Sequence, residues 1–419
     1  MAHWADHAIW WHVYPLGFTG APREAAPPGG EPGHRLGRLA AWLDYAVELG
    51  CSGLLLGPVF ASETHGYDTT DHFRIDPRLG DDADFDRLIA AAHARGLRVA
   101  LDGVFNHVAR GFRHPEWFRR EGGDYAVFEG HQHLVELDHS QPAVADYVGR
   151  VMSHWLGRGV SGWRLDAAYA VRPEFWAGVL PAVRRRFPDA WFAGEVLHGD
   201  YADYVARSGL DSVTQYELWK AIWSSLADGN FFELSWALQR HDALLSSFVP
   251  QTFAGNHDVT RLASQLPDER HLPHALAVLF TVGGVPSVYY GDEQAFRGVK
   301  EQRAGGDDEI RPEFPLEAAQ LAPYGWPVYR LHQRLIGLRR RNAWLVRART
   351  EVEHLTSRAV AFRSRDDEGN QVLTLLNTSD DPYRFPVDID GLRVLDSSSP
   401  DGRAPWPTVP PHGWAVLGQ

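Results

Sequence analysis

The chain has 419 residues, 44% hydrophobic and 23% charged, enough to bury a large core and to form two or three structural units. A formal net charge of -13 argues against nucleic acid or an anionic membrane as the main partner, and the longest apolar runs are too short and too interrupted to span a bilayer. One cysteine, Cys51, excludes an intrachain disulfide framework, and the first residues carry neither a basic region nor a long apolar core, so no signal peptide is visible and the expected location is the reducing cytoplasm.

Residues 9–14 are aromatic and β-branched and read as a buried strand. A Gly/Pro-rich loop runs to about Gly33. Leu36, Leu39, Ala40, Leu43 and Val47 then recur at helical spacing, and Gly50 closes that helix. Residues 53–56 form the next strand, with Cys51 just before it as a buried structural thiol. The loop 57–80 holds His65, Tyr67 and Asp68. A helix over 84–95 stops at Gly96, and residues 98–101 form the third strand. Residues 107–140 carry no clear period. Helices over 143–156, 173–187, 200–207, 217–247 (broken near 228–230), 268–280 and 327–341 alternate with strands over 163–165, 190–194, 212–216, 249–254 and 287–290.

Eight strand–helix units in alternation imply a parallel sheet closed into a (β/α)8 barrel, an α/β fold. The barrel spans 1–106 and 141–344, with a short insertion at 107–140 after the third strand. From about residue 345 apolar runs alternate around a turn at 366–370, so 345–419 reads as a C-terminal antiparallel β domain.

Four apolar runs end in an acid: Asp102, Asp166, Glu195 and Asp258. Their spacing places them after strands three, four, five and seven, at the C-terminal face where barrels of this kind do their chemistry. An acid at the end of a buried strand is expensive unless it is paired or opens into a cleft. Several carboxylates in a neutral, aromatic-lined cleft suit glycoside hydrolysis. The same acids with His107 and His257 also suit a metal-dependent hydrolase, and composition alone does not choose.

The strings themselves choose. Asp102-Gly103-Val104-Phe105-Asn106-His107, Gly162-Trp163-Arg164-Leu165-Asp166, Gly194-Glu195-Val196 and Asn256-His257-Asp258 resemble, in order and spacing, the four short motifs of the α-amylase family, glycoside hydrolase family 13. Gly57-Pro58-Val59-Phe60, His65-Gly66-Tyr67-Asp68 and the run from Gly284 to Glu293 extend the resemblance over about residues 8–345. It implies a retaining α-glycosidase acting on maltose-like or other short α-glucosides. Asp166 would be the nucleophile, Glu195 the general acid/base, and Asp258 a third acid on sugar hydroxyls. Arg164 would hold Asp166 ionised. His107 and His257 would bond hydroxyls, Tyr67 would stack on the sugar, and His65, Asp68 and Arg261 complete the substrate-binding set. Asp102 would brace the site.

Trp219 and Trp223, four apart on one helix, read as packing ahead of a sugar platform. A glucanotransferase or disaccharide isomerase on the same scaffold is the alternative, and an inactive binding or transporter subunit is the remote one. The partner implied is a small carbohydrate. No cofactor is expected. The family's calcium site, which would use Asn106 and acids of the insertion, lacks a compact ligand pattern here: Glu121, Asp124, Glu129, Glu136 and Asp138 are scattered.

Overall fold

The computed structural model describes residues 4–25, 31–303, 305–399 and 406–419. Part of the Gly/Pro-rich loop (26–30), position 304 after the eighth strand and residues 400–405 of the C-terminal region lie outside the described residues.

The barrel strands are β1 (Trp10–Val13), β2 (Gly53–Leu56), β3 (Arg98–Gly103), β4 (Gly162–Leu165), β5 (Trp191–Gly194), β6 (Ser212–Val213), β7 (Gln251–Phe253) and β8 (Val285–Tyr289). All their pairings are parallel, in the order β6-β5-β4-β3-β2-β1-β8-β7. A parallel bridge between Thr214 and Gln251 joins the two outer strands and closes the cylinder.

Strand alternation sorts each side chain to the interior or to the helices. Trp11, Val13, Leu54, Leu56, Val99, Leu101, Trp163 and Leu165 point outward into the large core shared with the helices. Trp10, Leu55, Ala100, Trp191 and Val285 fill the interior at the N-terminal end, where Trp10 stacks on Trp191 at 5.3 Å. Further along the same inward faces the residues turn polar: His12, Asp102, Arg164 and Gln251. The register pairs Arg164 with Asp102 across β4 and β3, so two inward-facing charges meet by strand geometry alone. Gly162 lies opposite Ala100 on that face, and a Cβ there would sit 2.6 Å from the Trp191 carbonyl oxygen.

Strands β9 (Arg349–Leu355), β10 (Ala359–Arg365), β11 (Gln371–Asn377), β12 (Arg393–Ser397) and β13 (Trp414–Gly418) form the antiparallel C-terminal sheet, in the order β9-β10-β11-β13-β12. Helix Leu272–Thr281 packs against it, with Thr374 bonded to Thr281 at 2.9 Å. Among the described residues no helix is long and apolar enough to cross a membrane.

Several local expectations are corrected. The loop 57–80 contains an antiparallel pair, Phe60–Ser62 with Thr69–Ile75. The insertion also contains a hairpin, His107–Ala109 with Leu134–Glu136. The helix expected over 36–50 is two helices, Leu36–Ala40 and Leu43–Leu49. The break falls at Trp42, whose indole bonds the Pro315 carbonyl at 3.0 Å and packs edge-on to Phe314, so tertiary contact overrides propensity. Val47 is consequently 40% exposed and not on the buried face. The sixth strand ends at Val213, because the Gln215 side chain caps the Leu218 amide and Tyr216 opens a helix. The helix expected over 268–280 begins as a 3-10 turn, Glu269–His271, capped by Asp268, and becomes α-helical only from Leu272.

Candidate active site

The site is built around Arg164, which is 2% exposed. Its Nη1 donates to both oxygens of Asp102 at 2.7 and 2.6 Å and to Asp166 Oδ1 at 3.3 Å. Its Nη2 lies 2.6 Å from Glu195 Oε1. One guanidinium thus faces three carboxylates from the ends of three adjacent strands. Burial alone would weaken the cation's hold on its proton, and the charges of Asp102 and Glu195 outweigh it and hold Arg164 well above the usual range.

Backbone geometry seats the two forward acids. Asp166 donates its amide to the Gly103 carbonyl at 3.1 Å, and Glu195 to that of Leu165 at 2.8 Å. Ala167 then adopts a left-handed conformation, φ 45°, and its amide donates to Glu195 Oε2 at 3.0 Å. A non-glycine residue held in that region next to two functional acids is local strain imposed by the site. Tyr216 donates its hydroxyl to Glu195 Oε1 at 3.0 Å and receives a bond from Asn256 at 2.9 Å.

Arg164 pulls Asp166 toward its ionised form, as expected, but other influences oppose it. Burial, then the charges of Glu195 and Asp102, push Asp166 well above the usual carboxylate range against the pull of Arg164. The reason is geometric: Arg164 lies closer to Asp102 and Glu195 than to Asp166. Asp258 is the opposite case. Burial would raise it, but His257, Arg311 and Lys300 dominate and hold it well below its usual range. His257 Nε2 is 2.8 Å from Asp258 Oδ2, and Arg311 Nη2 donates to Oδ1 at 2.7 Å.

A cavity of about 1580 Å³ opens above these acids. Of the expected residues, His65, Tyr67, Asp68, His107, Asp166, Glu195 and Asp258 line it. Two of them aim unpartnered buried atoms from its wall, His107 Nε2 and Asp68 Oδ1. The Tyr67 ring stacks on His257 at 5.5 Å, and its hydroxyl bonds Asp102 at 3.0 Å and contacts His257 Nε2. Arg164 and His257 stand behind the lining and support it. Arg261 is moved out of the binding set: it is fully buried and bonds the carbonyls of Tyr290 and Ile310, both at 2.9 Å, and Asp292 at 2.8 Å. It braces the loop after β8.

Sequence reading missed Arg311, Tyr216, Phe128 and Trp236. Arg311 falls in the segment after β8, which carries no helical or strand period. Tyr216 was assigned to a strand. Phe128 stacks on His107 at 4.4 Å from a segment with no period. Trp236 is 64% exposed at the cavity rim, and its solvent exposure was the one feature invisible in composition. Trp219 packs on Tyr216, Trp223 and Phe253 at 5.7, 6.0 and 6.3 Å, as expected, and also lines the cavity, whereas Trp223 does not line it.

The residues matching the family's calcium site do not fit the ion. Glu136 and Glu121 pair with Arg119 at 2.6 and 3.5 Å, Glu129 accepts from Tyr169 at 2.6 Å, and Asp138 accepts from Ser140 at 2.6 Å and Gln141 at 3.0 Å. Calcium needs six to eight oxygens converging on one point, and these acids are spread over separate partners.

Replacing Arg164 by Leu leaves three buried carboxylates without their cation. The expected loss of stability at pH 7 is about 3–5 kcal/mol by urea unfolding. It should shrink at lower pH, where the acids take up protons and need no cation; a loss below about 1 kcal/mol would contradict the assignment.

The same architecture is found in known proteins. A model described as the α-amylase catalytic domain matches residues 13–122 and 108–321. A cyclomaltodextrinase of Geobacillus thermopakistaniensis (strain MAS1) is 28% identical over 92% of this chain and 71% of its own length. An intracellular maltogenic amylase of Bacillus subtilis (strain 168) is 28% identical over 70% of this chain and 56% of its own length, so the chain spans little more than half of that relative. The ligand-free structure of a cyclic α-maltosyl-(1→6)-maltose hydrolase from Arthrobacter globiformis shares the fold, with a TM-score of 0.82 at 23% identity over 100% of both chains. The family match runs through β2 to β8 and every acid of the site, and the chain accordingly belongs to the α-amylase family as one of its glycosidases.

Proposed function

We propose that this enzyme hydrolyses α-glucosidic bonds of short maltooligosaccharides or related α-glucosides with retention of configuration. The observation that carries the reading is the shared guanidinium: Asp166 and Glu195 bind neighbouring nitrogens of Arg164. Two carboxylates from adjacent strands thus converge on one point of the cavity, which supports a nucleophile and an acid/base acting on the same bond.

In this reading Asp166 attacks the anomeric carbon as the glycosidic C–O bond breaks, and Glu195 gives its proton to the departing oxygen. Glu195 then takes a proton from water, the water oxygen bonds the anomeric carbon, and Asp166 is released. The reactive form needs the proton on Glu195 and the charge on Asp166. Passing a proton between two acids on one cation changes no net charge, so the pair can adopt that form when sugar displaces water. Asp258, kept ionised by its cations, and the free nitrogen of His107 accept and donate to sugar hydroxyls.

Substrate size is read from the walls. Phe128, His131 and His133 of the insertion and Lys300, Asp307 and Arg311 after β8 flank one cavity, with Trp219 and Trp236 on the opposite helices. Similarity to a cyclomaltodextrinase and a maltogenic amylase supports maltose-built substrates, and similarity to an intracellular enzyme supports a cytoplasmic setting. Trp219 and Trp236 also favour a second reading, in which a sugar acceptor stacked there intercepts the intermediate in place of water.

Glu195→Gln is expected to lower kcat on maltotriose by about 10²–10⁴-fold, and Asp166→Ala to abolish turnover, both with unchanged melting curves. The first product seen by NMR before mutarotation should be the α anomer; a β anomer would exclude the nucleophile role. Dialysis against EDTA, with or without added calcium, should leave kcat/KM on maltotriose unchanged. A loss restored by calcium would show that the insertion assembles a calcium site after all.

A further inference from the structure

Outside the catalytic cavity, a second cluster of chemistry-bearing side chains lies where the barrel meets the C-terminal sheet. Asp268 and His271 come from the turn preceding helix Leu272–Thr281, and His412 from the turn preceding β13. Asp268 Oδ2, His271 Nε2 and His412 Nδ1 all lie within 4.8 Å of one another. The two imidazole nitrogens are 2.9 Å apart, and Asp268 Oδ2 is 3.9 Å from His412 Nδ1. Donor atoms around a tetrahedral zinc sit about 3.3 Å apart, given bonds of about 2.0–2.1 Å, so these spacings straddle the required value.

Two further observations point to a ligand. His412 Nε2 lies 2.8 Å from Asp380 Oδ1. A carboxylate can only accept, so Nε2 carries the ring proton and the Nδ1 lone pair is turned toward His271. Carboxylate, imidazole and metal in that order is the arrangement that orients a histidine ligand. His412 also holds a left-handed backbone, φ 48°, a conformation that costs a non-glycine residue energy and persists where the side chain is needed in place. Arg270 holds the Asp268 carboxylate through both oxygens, Nε donating to Oδ1 at 2.9 Å and to Oδ2 at 3.0 Å and Nη2 to Oδ2 at 2.6 Å, which fixes its orientation beside the cluster.

We propose that Asp268, His271 and His412 bind one divalent transition-metal ion of zinc type, with water as the fourth ligand, and that the ion clips the barrel to the C-terminal sheet. Binding requires only that His271 move its ring proton from Nε2 to Nδ1, so no charge is created on the protein. None of the three residues lines the catalytic cavity, so the site is structural.

The test uses the full chain stripped with chelator, then titrated with cobalt(II) chloride and with zinc chloride. One equivalent of cobalt should give the visible absorption of a tetrahedral nitrogen–oxygen site, zinc should bleach it, and zinc should raise the melting temperature by several degrees. His412→Gly removes the ligand while relieving the left-handed backbone, so that variant should melt no lower than the stripped wild type yet lose both the cobalt band and the zinc shift. Asp380→Asn should weaken cobalt binding about 10-fold or more. No cobalt band in the wild type, or equal binding by His412→Gly, would overturn the proposal.

Discussion

One buried cation holds the structure's function together. Arg164 sits inside the barrel and is the shared partner of Asp102, Asp166 and Glu195. Burying any of these acids alone would cost several kcal/mol. The barrel makes the cluster possible by register: β3, β4 and β5 align their inward positions, so the arginine of the middle strand reaches an acid on each side. Removing Arg164 is expected to cost stability as well as chemistry, because three buried carboxylates would lose their shared cation.

A separate electrostatic unit faces it across the cavity. Asp258 is surrounded by cations and stays ionised, whereas Asp166 is pressed toward its protonated form by its acidic neighbours. Carboxylates of one cavity are thus driven in opposite directions, Asp166 upward by burial and then by Glu195 and Asp102, and Asp258 downward by His257, Arg311 and Lys300. The loops after β2, the insertion after β3 and the loop after β8 bring histidines, aromatics and Arg311 over this pair of units. Arg311 ties the loop after β8 to the ends of β1 and β7: it stacks over Tyr14 at 4.7 Å, bonds Asp258, and bonds the His257 carbonyl at 2.9 Å.

The barrel was legible because its signals are local. Apolar runs, helical spacing and an acid at each strand end survive in the linear sequence, and Asp102, Asp166, Glu195 and Asp258 stand where that pattern puts them. What was illegible depends on distant partners. Tyr216 was read as the end of a strand because nothing nearby reveals that its hydroxyl meets Glu195. Arg261 and Arg311 look alike in sequence, yet one is sealed beneath the loop after β8 and the other closes on Asp258. Trp42 broke a helix because of a carbonyl at Pro315. The direction in which Asp166 is pushed could not be read from Arg164 two residues away, since burial first, and then the charges of Glu195 and Asp102, decide it.

The central claim is that Asp166 is the atom-donating partner of the sugar while Arg164 and Glu195 serve it. Trapping tests this most directly. The wild-type enzyme is incubated with 5-fluoro-α-D-glucosyl fluoride, whose ring fluorine slows release of the intermediate, then digested with pepsin and examined by mass spectrometry. A 5-fluoroglucosyl ester on the peptide containing Asp166, formed as the anomeric fluoride departs, is the predicted result. An adduct on Glu195 or Asp258 instead would contradict the account, as would inactivation-free turnover with no adduct on any carboxylate.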